Sequence, residues 1–146
     1  MARIKLAMPP DFHFETAIPV RITDLNYGGH VGNDTILSML HEARIQFLRK
    51  AGYTELNMEG VGLIMSDAAI EFRQELFYGD TVLVKLAATE FSRVGFELYY
   101  QLEKQGPDKP VLVALAKTAM VCYNYTAKKV AALPVRAKEE LTRQPL

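Results

Sequence analysis

Between Asp24 and Asp34 the chain reads DLNYGGHVGND, eleven residues that hold one imidazole, two carboxylates, two carboxamides and three glycines. His30 is the side chain there that can serve as a general base or acid near neutral pH. Asp24 can orient that ring or act as a base itself. Asn26 can hold a water or a carbonyl by hydrogen bonds, but its amide cannot accept a proton. Asp34 stands one helical turn beyond His30 and can face the same space. Gly28, Gly29 and Gly32 let a ligand approach the backbone closely. Much of this composition also serves ordinary local structure, since Gly28-Gly29 suits a turn and Asn33 or Asp34 can cap a helix.

The flanking residues supply the reason to look further. Phe12–Thr23 alternates imperfectly and reads as a strand, with Pro19 favouring an edge or a bulge. Val31–Ala51 carries Ile36, Leu37, Leu40, Ala43, Phe47, Leu48 and Ala51 at helical offsets, and Gly52 is a natural stop. Met39 and Ile45 widen its apolar face, which predicts a helix wrapped by its surroundings. A strand-to-helix elbow therefore falls on the reactive stretch. The first N–H groups of the helix, around Gly32, Asn33 and Asp34, lack intrahelical acceptors and form the positive end of its dipole. Such a terminus polarises a carbonyl on its way to an oxyanion.

The rest of the chain is strand-like. Val61–Leu76, Thr81–Phe91, Phe96–Glu103 and Val111–Thr126 alternate or run apolar, separated by the turns FYGD, SRVG and KQGPDKP. The near-continuous apolar run of the last strand predicts burial on both faces. Pro134 opens a short terminal helical segment, PVRAKEEL. One strand, one long helix and four further strands predict an α+β fold in a single domain over residues 1–146. One helix cannot cover both faces of a five-stranded antiparallel sheet, so a homo-oligomer is expected, with a second copy at a sheet edge or face.

Composition narrows the function. Among the 146 residues, 17 Lys and Arg balance 17 Asp and Glu, which removes the basic excess expected of a nucleic-acid binder. The lone Cys122 rules out an intrachain disulfide and fits a reducing, cytoplasmic setting. The apolar run near the N-terminus is broken by Pro9 and Pro10, too short for a membrane span. His13, His30 and His41 lack metal-ligand spacing, so no metal site is expected. Glu42 lies about 18 Å along the helix from His30 and belongs with Ser38, Gln46 and Arg49 on a polar stripe.

VRITDLNYGGHVGNDTILSMLHEAR, Val20 to Arg44, resembles the opening of hotdog-fold acyl thioesterases, above all the 4-hydroxybenzoyl-CoA and acyl-carrier-protein thioesterase group. Arg21, Asp24, His30, Val31, Asn33 and Glu42-Ala43-Arg44 carry the match, and IEFRQELFYGDTV is similar to the family's second and third strands. The resemblance implies a five-stranded antiparallel sheet wrapped around one central helix, in a homodimer or homotetramer. It implies an acyl-CoA or acyl-carrier-protein thioester as substrate, and no cofactor beyond the CoA of the substrate. The catalytic set becomes Asp24, Asn26, His30 and the backbone N–H near Asn33. One departure matters: Asn26 stands where the family usually has its acid. The base then falls to His30, Asp24, Asp34, or Asp67 of a neighbouring subunit.

The substrate-binding set becomes Tyr27, Gly28, Gly29, Asp34, Met65, Asp67 and Arg93. Tyr27, Met39, Met65 and Phe72 are expected to line the acyl pocket, with Ser92-Arg93 and Lys128-Lys129 meeting phosphates. Two other readings follow from the same stretch. One is a non-catalytic acyl-thioester binder. The other is a hotdog hydratase or dehydratase, whose motif DLNYGGH approaches without its proline and with His30 one residue too far from Asp24.

Overall fold

A computed structural model describes residues 2–143. Period-two patterning yields strands β1 (Phe14–Pro19), β2 (Gly62–Phe72), β3 (Thr81–Thr89), β4 (Gly95–Lys104), β5 (Val111–Asn124) and the short β6 (Lys129–Val130). Period-3.6 patterning yields α1 (Asn33–Lys50) and α2 (Val135–Leu141). The strands form one antiparallel sheet in the order β1-β3-β4-β5-β2, with β6 on the end of β5. Pro19 closes edge strand β1, where its missing N–H interrupts no ladder. The opposite edge strand, β2, has β5 on one side and no partner on the other among the described residues. This is the hotdog arrangement, a sheet curled against one long helix.

The core lies between α1 and the concave face of the sheet. Ile36, Met39, Leu40, Ala43, Phe47 and Leu48 of α1 share it with Val82, Val84 and Leu86 of β3, Leu98 and Leu102 of β4, and Met120 of β5. Each large apolar side chain buried there contributes about 1.5–3 kcal/mol of transfer free energy. Arg44 is buried in the same face of the helix. Its Nη1 donates to the Tyr100 hydroxyl at 3.1 Å and its Nε to Glu55 at 3.1 Å, so its charge is partnered.

Several elements differ from the sequence reading, each for a local reason. The first strand stops at Pro19 and is followed by one 3-10 turn, Ile22–Asp24, that the Asp24 carboxylate closes by accepting the Arg21 N–H at 2.7 Å. The helix begins at Asn33 rather than Val31, because Val31 pairs with Leu25 and donates to the Leu76 carbonyl. Neither Asn33 nor Asp34 is the helix cap: Gly32 is, with extended backbone and no capping side chain. α1 is covered on one side only, leaving Leu37, Ser38, His41 and Glu42 exposed. Strand β5 is fully buried over Val113–Ala116 and alternates elsewhere, because its second face carries half-buried residues such as Lys117 and Val121.

His13 offers a test of packing at the β1 edge. Its Nδ1 accepts the Ala88 N–H at 3.1 Å, and burial pushes its pKa below the ordinary imidazole value against a smaller upward pull from Asp11. The unfolded chain thus protonates first as pH falls, and the native state loses stability below about pH 6.5. Thermal unfolding should show Tm falling between pH 7 and pH 5, with a shallower fall in His13→Gln.

Candidate active site

The elbow before α1 is a narrow loop closed by its own backbone. Asn26 N–H donates to the His30 carbonyl at 2.8 Å and Gly29 N–H to the Asn26 carbonyl at 3.1 Å. Gly29 has φ +83°, a conformation that glycine adopts without strain. The Asn26 side-chain oxygen accepts the Gly28 N–H at 2.8 Å, so this amide shapes the turn. Tyr27 at the tip is fully exposed.

A second segment holds the other wall. Arg73 and Gln74 N–H both donate to the Val113 carbonyl, and Lys104 Nζ donates to the Glu75 carbonyl at 2.7 Å. Leu76 is buried, and its carbonyl accepts the Val31 N–H at 2.9 Å. That bond sets His30 beside Glu75. His30 Nδ1 lies 3.3 Å from the Val31 carbonyl, and Nε2 lies 3.8 Å from Glu75 Oε1. The ring also meets the Phe77 ring edge-on, with centroids 6.5 Å apart. With Nδ1–H donating to the carbonyl, Nε2 is the basic nitrogen, and the imidazolium it forms faces a carboxylate.

The cleft between these walls has a volume of about 290 Å³. His30, Asn33, Gln74 and Glu75 give it polar groups, and Ile36, Phe72, Leu76, Val113 and Ala114 give it an apolar lining. Asn33 is the first residue of α1, and neither its N–H nor that of Asp34 has an acceptor among the described residues. One cleft therefore combines a titratable ring, a carboxylate and a helix N-terminus, which is the equipment for nucleophilic attack at a polarised carbonyl. Among the described residues, no three His, Cys, Asp or Glu side chains gather as a metal ion requires.

The residues singled out from the sequence separate in space. His30 and Asn33 line this cleft, Gly28 lies against the His30 ring, and Gly29 turns the loop. Asp34 folds back toward Gly32. Asp24 is buried, bound to Arg21, and lines a different cleft of about 370 Å³ with Ser38, Met39, Glu42 and Gln46. It does not touch His30, because its carboxylate is engaged in closing the 3-10 turn. Of the four expected lining residues only Phe72 lines the His30 cleft: Tyr27 points to solvent, Met39 faces the core and the second cleft, and Met65 lies seven residues up β2, about 23 Å away.

Asp67 pairs with Lys117 at 2.9 Å on the outer face of the sheet, past a bulge between Met65 and Asp67. Arg93 and the Lys128-Lys129 pair sit at the opposite end of the sheet from the cleft, beside the β4 start and the β5 end. Glu75 escaped the sequence reading because it was absorbed into a strand drawn to Leu76. The run Arg73-Gln74-Glu75, three polar residues breaking the alternation, was the signal that the strand had ended.

Fold and elbow together define a hotdog protein built for chemistry at a thioester carbonyl. The sequence profile of the thioesterase-like superfamily matches residues 20–144, and the chain belongs to that family. It is similar to a 1,4-dihydroxy-2-naphthoyl-CoA hydrolase of Crocosphaera subtropica, with 31% identity over 72% of this chain and 78% of that protein. It also resembles the crystal structure of a 1,4-dihydroxy-2-naphthoyl-CoA thioesterase from Synechocystis, with TM-score 0.76 and 26% identity over 88% of this chain and 94% of that one. A 4-hydroxybenzoyl-CoA thioesterase variant complexed with 4-hydroxybenzoyl-CoA shares the fold, with TM-score 0.77 and 18% identity over 89% of this chain and 98% of that one. The reaction is hydrolysis of an acyl thioester. No described helix is long and apolar enough to cross a membrane.

The Asn26 geometry yields a prediction. A carboxylate at that position can still accept the Gly28 N–H, whereas a methyl group cannot. Asn26→Asp should keep kcat within about threefold of wild type, and Asn26→Ala should lower it by about tenfold, the cost of one turn-defining hydrogen bond. Steady-state thiol release from the same acyl-CoA checks both.

Proposed function

We propose that this protein hydrolyses a CoA thioester of a compact, ring-bearing acyl group, with His30 as general base. The observation that carries the reading is the meeting of His30, Glu75 and the α1 N-terminus in one cleft. The thioester carbonyl sits at the Asn33 end of the helix, where the free N–H groups and the dipole favour the developing oxyanion. His30 Nε2 removes a proton from water as the water oxygen bonds to the carbonyl carbon, and the carbonyl pair moves onto oxygen. The tetrahedral intermediate then collapses, the C–S bond breaks, and the sulfur leaves with the pair and takes the proton from His30. Glu75 steadies the imidazolium between the two steps. Asn26 has no proton-transfer role here; it holds the loop that presents His30.

Ile36, Phe72, Leu76, Val113 and Ala114 in a space of about 290 Å³ favour an aromatic acyl group over a long chain. The aromatic acyl groups in the names of similar proteins support the same choice. The β2 edge, which has no partner strand among the described residues, supports a dimer in which a second copy pairs along Gly62–Phe72. Antiparallel pairing of that whole strand about a two-fold axis would set the other copy's Met65 opposite this copy's Ala69, closer to Phe72 than this copy's own Met65, with Asp67 opposite Asp67 at the axis.

Thiol release from a panel of aromatic, short and long acyl-CoAs tests the reading. Aromatic thioesters should turn over fastest. His30→Ala should lower kcat by about 10²–10⁴-fold, the usual contribution of a general base. Glu75→Gln should lower it by about fivefold, as for one partly exposed charge pair. No turnover of any CoA thioester, or full activity in His30→Ala, overturns it.

A further inference from the structure

Lys104 closes β4 in the row of side chains that faces the core. Leu98, Tyr100 and Leu102 precede it at every second position, and across the ladder it stands opposite the buried Val82. An apolar row thus ends in an ammonium whose side chain is only 17% exposed. A charge in such a place needs partners, and its partners all lie on one segment, residues 75–80. Nζ donates to the Glu75 carbonyl at 2.7 Å and to Asp80 Oδ2 at 3.2 Å, and it stands over the Phe77 ring, 5.3 Å from the centroid.

That segment carries the two side chains set against His30, the Glu75 carboxylate and the Phe77 ring. The Glu75 side chain is 63% exposed, so packing does not hold it and its place follows from the backbone beneath it. The backbone is fixed just before the segment by a bulge in β5. Leu102 pairs with Ala114 and Glu103 with Leu112, which leaves Val113 as the extra residue, and its carbonyl accepts the Arg73 and Gln74 N–H groups. At the far end Asp80 Oδ2 accepts the Phe77 N–H at 2.9 Å, and the Asp80 carbonyl accepts the Val20 N–H at 2.9 Å. Lys104 joins the Glu75 peptide to this closing turn, because one ammonium binds both the Glu75 carbonyl and the carboxylate that holds Phe77.

We infer that Lys104 is a positioning residue for thioester hydrolysis, an internal cation that locks residues 75–80 so that Glu75 and Phe77 meet His30. It acts through those two residues. A neutral side chain of similar length would leave the Glu75 carbonyl without this donor and the Asp80 carboxylate without its cation, and the segment would no longer be held to the end of β4.

This inference rests on the reading of His30 as base with Glu75 beside it, and the experiment separates the two. Full-length Lys104→Met, Lys104→Arg, Glu75→Gln and Lys104→Met/Glu75→Gln are compared on the acyl-CoA that wild type turns over fastest. Lys104→Met should lower kcat by about tenfold with KM within about twofold, the pattern of a misplaced reacting group. Lys104→Arg, which keeps a cation able to donate to both oxygens, should recover kcat to within about threefold of wild type. Added to Glu75→Gln, Lys104→Met should cost only about twofold more, because the two changes act through one contact. Wild-type kcat in Lys104→Met, equal losses in the Met and Arg variants, or a full second loss in the double variant overturns the assignment. If wild type hydrolyses no CoA thioester, the hydrolase reading fails, and histidine-ring NMR decides the role of Lys104 without turnover. The chain has three histidines, and the His30 signal is the one lost in His30→Ala. Its displacement in Lys104→Met but not in Lys104→Arg, with His13 and His41 unmoved, supports the inference; an unmoved His30 signal, or displacement of all three, overturns it.

Discussion

Burial of one face of α1 is the constraint on which the remainder of the structure depends. Six apolar side chains and Arg44 must leave water together, and a single curled sheet receives them. That packing determines where the helix begins as well as where it lies. With Ile36 and Leu40 in the core, Gly32 is drawn to the sheet end, where its N–H meets the Asp24 carbonyl and Val31 meets Leu76. The elbow is therefore positioned by the core, and the reactive loop inherits its rigidity from apolar contacts it does not itself make.

Within the elbow, polar groups divide into those that build and those that remain available. Asp24 closes a 3-10 turn and Asn26 closes the next one. Their oxygens are engaged by backbone N–H groups, so neither is placed to relay a proton to His30. The groups left facing the cleft are the His30 ring, the Glu75 carboxylate and the unsatisfied N–H groups at the start of α1. An asparagine at position 26 is consistent with this division, because an amide oxygen accepts the Gly28 N–H as a carboxylate would.

The charged residues follow a similar logic. Lys117 with Asp67 and Glu97, and Lys85 with Glu103, pair across the outer face of the sheet, where water screens them. Arg44 is instead a buried guanidinium whose partners Glu55 and Tyr100 prevent an isolated charge in the core; Tyr100 in turn shares a hydrogen bond with Thr118. These pairs link neighbouring strands and the loop after α1, so they are part of the framework.

The sequence by itself determined the elements and their class. Period 3.6 over α1 and period 2 over the strands follow from local backbone geometry, and each window carries its own signal. Pro19 at an edge, Gly52 as a stop and Pro134 before a helix are likewise local effects. That His30 and Asn33 share one cleft was legible because they are near neighbours in sequence. Glu75 was not. It lies 45 residues from His30, and its place beside the ring depends on Val31 donating to Leu76, on Lys104 holding its carbonyl and on Val113 holding Arg73 and Gln74. Asp24 shows the complementary effect: its type suits catalysis, yet its oxygens are claimed by a turn and it lines a different cleft. Only the tertiary structure decides such assignments, because a side chain's chemistry is set by which partners reach it first, and those partners come from strands far apart in the chain.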